Sequence, residues 1–164
     1  MFVLWLICIV ALVALAVYDM RWQLLPDKIV LPLGIIGVIL GFLRFYVHDD
    51  LGLLATIVQM AGGVAVISGL YFVLHYMSRG AWVGFGDVKL NVFIGLILGW
   101  QSALLAVFLA NILGLLVVLP GLLLKKITPK SRIPFGPFLI AACIIALLWG
   151  QQIINWYTTT LLGL

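Results

Sequence analysis

Glutamate is absent from this chain, and its only acids are five aspartates. Charged residues of both signs make up just 9% of the 164 residues, against 66% apolar ones, and the mean hydropathy is +1.33. That balance excludes an ordinary soluble domain and describes a polytopic membrane protein. Cysteine is equally scarce. Cys8 and Cys143 both lie inside apolar runs, with no CxxC spacing and no nearby histidine, so they read as packed thiols rather than zinc ligands. The net charge of +4 is no nucleic-acid signature, because the basic residues fall mainly in short breaks between apolar runs. Internal repeats and low-complexity stretches are missing too.

What is present is a succession of apolar segments, at about 2–18, 29–47, 53–77, 88–100, 102–124 and 138–160. They predict an all-α bundle of about six transmembrane helices, forming one domain over residues 1–164. The first run is preceded by no positive charge and followed by Arg21, the reverse of signal-peptide polarity. It is therefore expected to be a retained helix.

Charge sets the expected topology. With the N-terminus outside, the breaks at 19–28, 78–89 and 125–137 face the cytoplasm. They carry Arg21, Lys28, Arg79, Lys89, Lys125, Lys126, Lys130 and Arg132, whereas the outer side keeps only Arg44. This positive-inside bias puts Asp19 and Asp87 at the same face. Carboxylates near a bilayer are costly, and a membrane protein that keeps two of them at one interface is expected to use them.

Two neighbouring carboxyl groups share a proton readily, because like charges disfavour double ionisation. One can then act as general base toward a water, while the other polarises a carbonyl. Asp87 follows Gly84-Phe85-Gly86, and Gly84 and Gly86 are expected to admit close backbone approach and unusual backbone conformations. The plainer alternative for Asp87 is a helix N-cap. Asp27, after Pro26, reads as a helix N-cap or as a support for the pair. Lys89 reads as a snorkelling interfacial lysine or as a partner of Asp87. His75 is expected to make a local hydrogen bond, and Asn111 to bond across to a neighbouring helix.

The motifs carry a resemblance. Tyr18-Asp19 followed by Gln23-Leu24-Leu25-Pro26-Asp27 resembles the first motif of the type IV prepilin peptidases. Gly84-Phe85-Gly86-Asp87-Val88-Lys89-Leu90 resembles their second, GxGDxKL, and Ile133-Pro134-Phe135-Gly136-Pro137-Phe138-Leu139 is similar to the segment before their last helix. The resemblance implies an aspartic endopeptidase of the bacterial inner membrane, with Asp19 and Asp87 catalytic. It would cut the leader of type IV prepilins or type II secretion pseudopilins after a glycine, at the cytoplasmic face. Gly84, Gly86, Asp27, Lys89, Pro134 and Gly136 would support the pair or the substrate. Membrane lipids are the other expected partners, and no metal, cofactor or nucleic acid is expected. Many family members carry an N-terminal part with a CxxC pair linked to N-methylation. This chain starts at its first membrane helix without that pair, so the expectation is peptidase activity without N-methyltransferase activity.

Three other readings compete. A presenilin-like GxGD protease fits the second motif but not the LLPD and IPFGPFL segments. A small proton-coupled carrier or channel subunit favours acids nearer the bilayer midplane. A catalytically silent assembly subunit shares all the sequence features.

Overall fold

The computed structural model describes residues 2–124 and 133–161. These residues form α1 (Phe2–Trp22), α2 (Asp27–Phe42), a π-helical continuation (Leu43–His48), α3 (Leu53–Met77), α4 (Phe85–Leu123) and α5 (Gly136–Leu161). No strand occurs among the described residues. Helices are the expected outcome for such apolar runs, because within lipid each backbone N–H and C=O must be satisfied inside its own segment. Among the described residues five helices are long and apolar enough to cross a membrane, and the protein is a multi-pass membrane protein. Its large exposed side chains are apolar along most of the bundle, for example Val10, Leu31, Phe72, Phe108 and Leu115. This surface suits lipid rather than water.

The helix count is reconciled with six expected segments by α4. This 39-residue helix is broken at Gly99, whose φ of 71° and ψ of 173° are non-helical. The break divides α4 into two arms that match the segments expected at 88–100 and 102–124. The chain reverses there. Asn111 lies 24 residues after Asp87, which along a straight helix would separate them by about 36 Å. Both nevertheless line one cavity. The turn needs no loop, only a residue with left-handed φ and no side chain. A Cβ on Gly99 would approach Gln59 Oε1 to 2.9 Å and the Phe45 ring to 3.0 Å.

A break in a helix frees carbonyl groups near it. Arg44 Nη1 donates to one of them, the Ile97 carbonyl, at 2.9 Å. A cation at the C-terminal end of a helical arm also matches the helix dipole. The lone basic residue expected on the outer side thus closes the first arm of α4.

That first arm is the centre of the bundle. Val88, Leu90, Asn91, Phe93, Ile94, Ile97 and Leu98 are all buried, so the arm is covered around its circumference. One buried apolar cluster joins its side chains to Leu33 and Leu40 of α2, Ile67 of α3 and Leu139 and Cys143 of α5, and to Leu12 and Leu15 of α1, a helix that packs on α2 and α5. The closest approach is to α3, where a Cβ on Gly95 would lie 2.6 Å from the Gly63 backbone. Small residues at such a crossing let backbones touch, which is how membrane helices gain packing energy without a hydrophobic effect between them. Cys8 and Cys143 are both buried as free thiols.

Four of the basic residues behind the expected topology, Lys125, Lys126, Lys130 and Arg132, lie outside the described residues.

Candidate active site

Asp19 sits in the last turn of α1 and is only 6% exposed. Its Oδ2 accepts a hydrogen bond of 2.8 Å from the backbone N–H of Gly136, the first residue of α5. The α5 N-terminus supplies this donor because helix starts leave N–H groups without intrahelical partners. Pro137 follows, at a position where a missing N–H costs nothing. Gly136 leaves no room for a side chain: its Cβ would lie 2.7 Å from Asp19 Oδ2.

Asp87 sits in the first turn of α4 and is 9% exposed. It is not the N-cap. Gly84 holds that position and the helix has no side-chain cap hydrogen bond. Asp87 Oδ1 is buried with no hydrogen-bond partner. Asp19 lies within electrostatic reach of Asp87, as does Tyr71 of α3. The fold therefore brings to one end of the bundle two buried carboxyl groups that are 68 residues apart in sequence.

The segments bearing them are joined in two further places. Leu25 packs on Gly86, where a Cβ would come within 2.8 Å of Leu25 Cβ. Lys89 Nζ bonds both carboxylate oxygens of Asp27, at 2.7 and 2.8 Å. Asp27 does open α2, but it is spent on this ion pair rather than on capping. Lys89 likewise turns to protein, and its ammonium also lies 5.1 Å from the Phe85 ring centre. The chain reaches this arrangement through Gln23, which takes a left-handed φ of 52° just after α1.

Several expectations are corrected by the geometry. Gly84 is extended, with φ of −70° and ψ of 147°, and Gly86 is helical, so neither uses the conformational freedom of glycine. Gly86 matters instead because Leu25 occupies the space of a side chain. Asn111 is exposed and donates to Val107 of its own helix at 2.8 Å, not across to a neighbour. Pro134 does not line the cavity, whereas its neighbours Ile133 and Phe135 do. The local hydrogen bond expected of His75, by contrast, is present: its Nδ1 bonds the Val83 carbonyl at 2.8 Å, which fixes the approach to Gly84.

Beside Asp87 opens a cavity of about 250 Å³, walled by Leu70, Tyr71, Leu74, Val83, Phe135 and Asn111 among others. Its wall is mainly apolar but also carries Asp87, the Tyr71 side chain, the Asn111 amide and the Trp82 indole, so it offers space for a side chain next to a carboxyl group. Tyr71 and Asn91 were not singled out by sequence. Nothing local marks Tyr71, but Asn91 stands four residues after Asp87 in an otherwise apolar run. Among the described residues, no three His, Cys, Asp or Glu side chains are grouped as a metal site would require.

A membrane helix bundle with two buried aspartates brought together by GxGD and LLPD segments defines a class of membrane protein. Residues 6–119 match the type IV leader peptidase family, and the chain belongs to that family. It is 36% identical over 151 residues to the prepilin leader peptidase/N-methyltransferase of Aeromonas salmonicida (strain A449), a match covering 92% of this chain and 50% of that protein. The enzyme of the same name from Legionella pneumophila is 36% identical over 156 residues, covering 93% of this chain and 52% of the relative. That from Pseudomonas aeruginosa (strain PAO1) is 32% identical over 146 residues, with 89% and 49% covered. The chain thus spans about half the length of the curated relatives it matches. No solved structure matches it.

Proposed function

We propose that this protein is an aspartic endopeptidase that removes the leader of type IV prepilins or type II secretion pseudopilins, cutting after a glycine at the cytoplasmic face of the inner membrane. Asp19 and Asp87 are the catalytic pair. The observation that carries this reading is the convergence of two buried carboxyl groups, from two family motifs, at one end of the bundle. The asymmetric distribution of basic residues supports the cytoplasmic assignment of that end.

In the reaction, the ionised member of the pair takes a proton from water as its oxygen attacks the peptide carbonyl. The protonated member donates to the carbonyl oxygen. As the gem-diol intermediate collapses the C–N bond breaks, the leaving amine takes up the proton held by the base, and one gem-diol hydroxyl returns its proton to the other carboxylate, which restores the singly protonated pair. The two carboxyls titrate as one system, so base and acid are roles of the pair. The Gly136 N–H orients Asp19, and the Asp27–Lys89 ion pair joins the two segments. The substrate's apolar helix lies in the bilayer against the bundle, and the cavity beside Asp87 receives a side chain flanking the cut.

The test is cleavage of a type IV prepilin in membranes by the wild type, Asp19→Asn and Asp87→Asn. Cutting after the leader glycine by wild type alone, with all three proteins inserted equally, supports the reading. Normal cleavage by either variant removes that residue from the pair. A wild type that cuts no prepilin, tested on several, favours a proton carrier or a silent assembly subunit.

A further inference from the structure

Asn91 is fully buried, and neither its Nδ2 nor its Oδ1 has a hydrogen-bond partner. Leaving such a group unpaired costs about 1–3 kcal/mol, so buried orphans are rare and call for an explanation. One turn earlier on α4, Asp87 Oδ1 is buried and unpartnered as well. Among the described residues these three atoms are the only buried side-chain nitrogens and oxygens in that condition. All three occur on one helix, four positions apart.

Residues i and i+4 of a helix share a face, with Cβ atoms about 5–6 Å apart. Helical side chains lean toward the N-terminus, so the Asn91 amide lies over the turn that carries Asp87. The surrounding side chains of α4, Leu90, Phe93 and Ile94, offer it no polar atom. The hydroxyl that α3 brings to this turn, Ser68 Oγ, already donates to the Val88 carbonyl at 2.9 Å.

We infer that Asn91 is a positioning residue for Asp87, its amide N–H serving as the hydrogen-bond donor that holds Asp87 Oδ1 in the working site. Rotation of the Asn91 side chain, or one shared water, completes the bond. The inference rests on the proposed catalytic role of Asp87. A donor aimed at a carboxylate favours its ionised form, so Asn91 also lowers the apparent pKa values of the pair and with them the pH limits of activity. The other titratable groups facing Asp87 are Asp19 from α1 and Tyr71 from α3, with the Lys89–Asp27 pair at the exposed rim and His75 beside Phe85.

The test compares Asn91→Ser with Asn91→Ala, which leave similar space and differ in one hydroxyl donor. Asn91→Leu adds a near-isosteric apolar variant, and Asp87→Asn is the control. Prepilin cleavage is measured against pH in membranes and normalised to inserted protein. The expected result is about tenfold slower cleavage for Asn91→Ala and Asn91→Leu, the loss of roughly one hydrogen bond. Their pH–rate profiles should move to higher pH on at least one limb, while Asn91→Ser keeps a profile near the wild-type position. If Ala and Ser variants behave alike, or if Ala and Leu leave both limbs in place, the assignment is overturned, whatever the rate. These outcomes count only against Asn91 provided wild type cleaves and Asp87→Asn does not. Failure of either control removes the peptidase reading itself, and this inference with it.

Discussion

The backbone N–H of Gly136 donates to Asp19 Oδ2 at 2.8 Å, and a Cβ on Gly136 would stand 2.7 Å from the same oxygen. The start of α5 therefore acts as a gauge for the position of Asp19: any side chain at 136 pushes the carboxylate away. Gly136→Ala is expected to insert and fold, because alanine favours helix over glycine. Its cleavage rate should nevertheless fall by at least about tenfold, since small misplacements of a reacting group are costly in rate. Cleavage assays on membranes with matched protein levels check this. Wild-type speed in Gly136→Ala would mean that the hydrogen bond is only a helix cap.

The Lys89–Asp27 ion pair joins the two segments that carry Asp19 and Asp87. Asp27 is more than half exposed and Lys89 nearly a third, so the pair contributes little to stability, on the order of 0.2–1 kcal/mol. Its expected importance is geometric. Lys89→Met and Asp27→Asn should each slow cleavage several-fold with little change in melting temperature. The double variant should be hardly slower than either single one, because each breaks the same link. Additive losses in that cycle would mean that the two residues act separately.

Much of this arrangement is legible in the sequence, and what is not has physical causes. The membrane segments follow from long apolar runs, since lipid leaves helices as the only solution. The common end of Asp19 and Asp87 follows from counting spans between charged breaks. Gly99 is different. It is one of 17 glycines, and an apolar run with a glycine inside predicts a helix as readily as a reversal. Its role is set by Phe45 and Gln59, which close around it from other elements. The Gly136–Asp19 bond links residues 117 apart, so no local spacing announces it. By sequence, Asp27 reads as an N-cap or a support for the pair and Lys89 as a snorkelling lysine or a partner of Asp87; their bond to each other is not legible there, because it depends on how the chain turns at Gln23.

In the proposed mechanism the pair of carboxyls sets the pH dependence. With both ionised, no acid remains to polarise the carbonyl, and with both protonated, no base remains to activate water. Cleavage should therefore rise and then fall with pH, limited below by the lower apparent pKa of the pair and above by the higher. Rates measured across pH on a single prepilin, at saturating substrate, check this. A flat profile would count against a shared proton.

Gly99 and Arg44 together make the reversal that places Asn111 opposite Asp87 across one cavity. Gly99→Ala puts a side chain where φ is 71° and where Gln59 and Phe45 leave no space, so it strains the turn and its surroundings at once. Arg44→Leu leaves the Ile97 carbonyl without its side-chain donor, at a cost of about 1–3 kcal/mol if the group stays buried. Both variants are expected to lower the thermal unfolding midpoint in detergent, Gly99→Ala more than Arg44→Leu. Both lie far from the carboxyl groups, so their effect on cleavage should track the loss of folded protein and leave the pH profile unchanged. If Gly99→Ala kept the wild-type midpoint, the two arms of α4 would have to meet by some other turn. The shared cavity of Asp87 and Asn111 would then lose its explanation.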